Sequence, residues 1–211
     1  RGRGRRDGDG QKTVPMLLPA PPTELERKLH GRNPCISPHV TCLVFGPDGE
    51  SYFCQFADGA MVHNDLPVEL FAALHTKSEK YGCKSNEATV QSMALGPYDS
   101  YVCIWKDGSY DWSGVPDELH AILLNGKPLP DTGLIGDIEN GSAKSPLEIN
   151  MGQNFEWFLR FVGGSWVAHG HPDDCEQEIE AVKEEEDGMI VDIHFGQDSM
   201  WIIEYEAGEE Y

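Results

Sequence analysis

Four glycines, Gly46, Gly96, Gly152 and Gly196, each close an apolar stretch, and each is answered 12 or 13 residues later by a second glycine, Gly59, Gly108, Gly164 and Gly208. Self-similarity of this kind constrains the architecture before any local pattern does, because repeated units must stack on one another to bury their apolar faces. The first glycines recur at intervals of 44 to 56 residues, the spacing of propeller-type units. Apolar residues stand three and one positions before each: Leu43 and Phe45, Met93 and Leu95, Ile149 and Met151, Ile193 and Phe195.

Seven residues before the second glycine the chain carries Tyr52, Tyr101, Trp157 and Trp201, and three before it Phe56, Trp105, Phe161 and Tyr205. Cys54, Cys103, Leu159 and Ile203 lie between them, so alternate residues form one apolar face, as a half-buried strand requires. The intervening Gln55, Arg160 and Glu204 point to an opposite, polar face, a pattern that Ile104 breaks. Turn-forming residues follow the first glycine, as in Pro47-Asp48-Gly49 and Pro97-Tyr98-Asp99, and Asp58-Gly59 and Asp107-Gly108 form the second turn. Each unit therefore reads as a three-stranded antiparallel meander with a WD/WG-like aromatic repeat.

Proline recurs eight residues beyond the second glycine, at Pro67, Pro116 and Pro172, with acidic residues near it. Proline suits the first turn of a helix, where its missing N–H costs nothing, and carboxylates favour the same positive end. Apolar residues three and seven positions on, Leu70 and Leu74, Leu119 and Leu123, Cys175 and Ile179, share one helical face. The fourth unit has no such segment after Gly208, but the N-terminus holds an unattached one, Pro22 with Leu25 and Leu29. The expectation is a mainly β protein of four pseudo-repeats, each a meander plus a short helix, closed into a propeller-like ring when the N-terminal helix completes the last repeat. Closure would remove exposed strand edges.

In outline this resembles a four-bladed propeller of the hemopexin type, which also ends its blades with a short helix. The units here hold three strands rather than four, and the resemblance implies an architecture and no site residues. An open curved array, or two pairs of units packed face to face, is the alternative arrangement. Residues 1–20, rich in Gly, Arg and then Pro, read as a disordered arm. Residues 21–211 read as one domain, with repeats at about 38–80, 86–127, 146–187 and 189–211, the last completed by 21–32. The stretch from Asn125 to Ser145 is loop by composition.

The net charge is −20. Residues 1–12 carry a net +3, which leaves −23 on the remainder, and so acidic a body repels phosphate backbones. Nucleic acid is therefore not an expected partner of the folded part, although the arginine-rich arm is a candidate RNA contact. No apolar run is long enough for a membrane helix. The six cysteines contain no CxxC pair, and Cys54, Cys103 and Cys175 take apolar positions, which points to a reducing, intracellular compartment. A secreted location is the alternative, with Cys35 and Cys83 the first pair to consider as a disulfide.

No hydrolase elbow, Walker loop or dinucleotide fingerprint is present. The expected function is a non-enzymatic protein-interaction module, its loop face or acidic helices engaging a protein partner, a basic one fitting that charge, with no cofactor. A carbohydrate-binding lectin is the second reading: Trp112 and Trp166, near the expected helix entries, could offer ring faces to a sugar, with His169 beside them. The third is a metal-dependent hydrolase on His169, His171 and Asp173, whose imidazole and carboxylate groups suit zinc, copper or nickel.

Overall fold

In a computed structural model, the protein is described over residues 39–82, 85–125, 135–136, 145–185, 189–196 and 200–206. The arm, the Pro22 to Leu29 stretch, Cys35, Cys83 and Gly208 lie outside the described residues. The fold is mainly β, with a few short helices and four small antiparallel sheets.

The first sheet is β1 (Val40–Phe45), β2 (Tyr52–Phe56) and β3 (Met61–Asn64), and helix α1 (Val68–Tyr81) follows it. The second is β4 (Val90–Leu95), β5 (Tyr101–Trp105) and β6 (Tyr110–Ser113), followed by α2 (Asp117–Asn125). A two-residue strand, β7 (Ile135–Gly136), pairs with the outer edge of the third sheet, in which β8 (Pro146–Met151), β9 (Trp157–Phe161) and β10 (Trp166–His169) form the meander. Helix α3 (Asp173–Glu185) then leads to a two-stranded sheet, β11 (Met189–Phe195) and β12 (Trp201–Glu206). The strand β7 lies in a Gly- and Pro-rich stretch whose composition indicates only loop. Where three strands are expected in the fourth unit, two are described.

The four leading hairpins share their irregularities. Each has a register shift six residues before its first glycine, between Val40 and Cys42, Val90 and Ser92, Pro146 and Glu148, and Ile190 and Asp192. Each is closed by the first glycine's N–H, which donates at 2.7–2.8 Å to the carbonyl of Ser51, Ser100, Glu156 or Met200. The helices open at their prolines, whose carbonyls accept from Phe71, His120 and Glu176. Acidic residues occupy their first turns.

The sheets pack face on face with a helix at each interface. Phe53 of the first sheet and Leu70 and Leu74 of α1 meet Met93, Leu95 and Trp105 of the second. Ala94, Val102 and Ile104, with Leu119, Ile122 and Leu123 of α2, meet Ile149, Trp157 and Phe161 of the third. Phe158 and Trp166, with Cys175, Ile179 and Val182 of α3, meet Ile190 and Ile193 of the fourth. A fourth cluster, Tyr52, Cys54, Phe56 and Val62, is described only on the remaining face of the first sheet. Central strands β2 and β5 are therefore buried on both faces, not on one. Among the described residues no ladder joins one sheet to the next.

Candidate functional site

The first strands of the sheets run beside one another, β1 against β4, β4 against β8 and β8 against β11. Together they line a cavity of about 460 Å³. Strand alternation brings polar groups to it: Asp192 Oδ1 accepts from Asn150 Nδ2 at 2.6 Å and from the Ile193 N–H at 2.7 Å. His194 Nε2 lies 3.5 Å from Asp192 Oδ2 and 3.6 Å from Glu204 Oε1. Glu148 is paired with Arg160. Burial, then the charge of Glu148, push the Asp192 carboxyl above its ordinary value, against the opposing pull of His194, the Ile193 N–H and Asn150.

A second cavity, of about 340 Å³, opens among the loops and is lined by Asp48, Asp65, Tyr98, Asp99 and Gln153; Leu95 lines both cavities. Burial opposes the charge of Asp48, but donors from Ser51 and Glu50 outweigh it and hold this carboxyl below its usual range. The β4–β5 turn has both central residues at positive φ, Tyr98 at 55° and Asp99 at 60°, and the Ser100 N–H donates to Pro97 O at 3.1 Å. Such a turn ordinarily takes Asn-Gly or another pair free of left-handed strain. Here it carries a tyrosine that is 90 % exposed, its ring 5.9 Å from that of Phe155, which is also at positive φ.

The residues expected to bind ligand do not share one face, since Trp166 and His169 lie on opposite sides of β10. Trp166 is a correction: it is 1 % exposed, packed with Phe158 inside the third interface, so its faces are closed to a sugar. The helix that follows its strand covers the face on which it points. Trp112 is half-buried in the second sheet, where its indole N–H donates to His120 Nδ1 at 3.1 Å and its ring stacks on Tyr110. His169 lies on the face of β10 opposite to Trp166, beside Trp157 at 6.0 Å. Among the described residues no three His, Cys, Asp or Glu side chains form a metal-binding group, His169, His171 and Asp173 included.

His171 has a different place. It stands just before Pro172, where Leu66 and Val115 precede the other two helix prolines and pack on the core. Its side chain is 7 % exposed, neither ring nitrogen has a hydrogen-bond partner among the described residues, and Glu176 Oε2 is 3.7 Å away. Burial lowers its pKa and His169 adds to this, while Glu176 and Asp173 oppose it. In acid the unfolded chain takes up a proton that folded His171 resists, so this contribution to stability is lost as pH falls below about 6.5, the unfolded value. His171→Leu should flatten the fall of the melting temperature with pH below that value. An unchanged slope in a pH series of thermal melts would refute the assignment.

Burial pushes the Cys42 thiol up to about 12 and that of Cys175 up to about 11, so neither is a ready nucleophile. Among the described residues Cys42, Cys103 and Cys175 form no disulfide. Among the described residues no helix is long and apolar enough to cross a membrane. Fold and site thus define a mainly β protein of four small sheets, with one cavity along its first strands and another among its loops. No family model, curated protein or solved structure matches the chain.

Proposed function

We propose that the protein is a non-enzymatic binding module whose loop face engages a basic protein partner. The observation that carries this is the strained Tyr98-Asp99 turn, which holds an exposed ring over a cavity lined by Asp48, Asp65 and Asp99. Two adjacent left-handed residues other than glycine cost on the order of 1 kcal/mol each, and strain of this kind gathers where function requires it. Exposed tyrosine flanked by carboxylates suits a partner that offers an apolar or cationic contact.

The architecture that presents this face is, in our reading, a ring of four repeats. The shared register shifts and glycine closures support the repeat, and the cavity common to all four first strands supports a central axis. On this reading closure would be supplied by the Pro22 to Leu29 segment, whose sequence has the proline and leucine spacing found at the three described helices.

Replacing the turn by Tyr98→Asn with Asp99→Gly separates binding from folding. The double variant should gain about 1 kcal/mol of stability, because the turn is relieved, and lose at least about tenfold in affinity for proteins captured by the wild type at low salt. Captured proteins should be basic and should elute as salt rises. Equal capture by the variant, or capture indifferent to salt, would sink the reading.

A further inference from the structure

The loop face does not account for the cavity between the first strands. No lysine or arginine is among the described residues that line it. Glu148 is neutralised by Arg160, which reaches it from β9, but Asp192, only 3 % exposed, has no such partner among the described residues. Its Oδ1 is occupied by Asn150 and the Ile193 N–H, and its Oδ2 has only the 3.5 Å approach of His194. A carboxylate taken out of water and left without a full positive partner is expensive, and it is a site for which a cation is the natural complement. The cavity also has an apolar wall. Leu43 and Phe45 are 43 % and 50 % exposed on β1, whereas Met93 and Leu95, at the corresponding places on β4, are buried.

We propose that this cavity binds an organic cation, an alkylammonium or alkylguanidinium group whose head is received by Asp192 and whose stem lies on Leu43 and Phe45. The same chemistry is offered by a free amine and by a lysine or arginine side chain of a protein. The proposal does not depend on the loop-face reading.

The test titrates the full chain with n-butylguanidinium, with n-butanol and with a short arginine-containing peptide, following heat and the imidazole resonances of His194. Saturable binding of the guanidinium, with n-butanol inert, is expected. Asp192→Asn keeps the acceptor for Asn150 and removes the buried charge, so it should fold at least as well and bind the cation about tenfold or more weakly, the loss of one charge-assisted hydrogen bond. If the peptide alone saturates the site and Asp192→Asn abolishes this, the cation is a protein side chain. If neither cation binds saturably, if n-butanol binds equally well, or if the variant binds unchanged, the proposal fails. Peptide binding that survives Asp192→Asn but is lost with Tyr98→Asn and Asp99→Gly would overturn the cavity while leaving the loop face intact.

Discussion

Phe158→Ala is expected to remove about 3–5 kcal/mol of stability, a large part of the roughly 5–15 kcal/mol that a domain possesses. Phe158 is fully buried on β9, its ring 5.6 Å from that of Trp166, with the core residues of α3 and the fourth sheet packed in the same cluster. The strand cannot shift inward to fill the space, because Phe158 is held in register with Asn150 on β8 and with Ala168 on β10. A cavity therefore remains, and its cost adds to the lost transfer energy. Ile202 stands at the matching position on β12, six residues before its second glycine, yet it is 63 % exposed. Ile202→Ala should change stability by no more than about 0.5 kcal/mol. Urea denaturation checks both: the midpoint should fall steeply for the first variant and hardly move for the second, with the slope unchanged.

That contrast also shows what the sequence could convey. Paired glycines and alternating aromatics reveal the hairpins and one face of each central strand, and the proline-leucine spacing finds three helices, because these signals are local and periodic. The second face is harder to read, since polar letters suggest water. Gln55 is fully buried instead: its Nε2 donates to Ala88 O at 3.3 Å and its Oε1 accepts from the Val90 N–H at 2.9 Å. Both partners lie more than 30 residues away on the neighbouring unit, beyond the reach of any periodicity. Trp166 is hard to place for the same reason, since only the packing of α3 shows which face is covered. The candidate sites were the least legible. Tyr98-Asp99 reads as an ordinary turn until its φ values are known, and Asp192 reads as one charge in an apolar strand until the other first strands gather around it. A tyrosine where a tight hairpin prefers asparagine and glycine was nevertheless a usable signal.

A chain beginning at Arg32 should melt roughly 10–20 °C below the full-length protein or aggregate, whereas one beginning at Ala20 should be indistinguishable from it. In three interfaces a sheet face, two residues at the third and seventh places after a proline, and the next sheet face form one cluster. The remaining face of the first sheet is just as well buried, with Tyr52 at 2 % and Cys54 at 0 %, whereas Ile202 on the fourth sheet is exposed, so a closing segment would have to rest on the first sheet and not on Ile202. Leu25 and Leu29 follow Pro22 at those same places in the sequence, and it is on the ring reading proposed above that this segment would supply the remaining interface. Burying two leucines is worth about 3–6 kcal/mol, and each kilocalorie moves the melting temperature of a chain this size by about 2–4 °C. Equal melting of the two shortened chains would mean that the four sheets form an open array. The ring, and with it the shared axis of the four first strands, would then have to be abandoned, but the Tyr98 site would be untouched, because it is built from the first three units, which pack on one another without the closing segment.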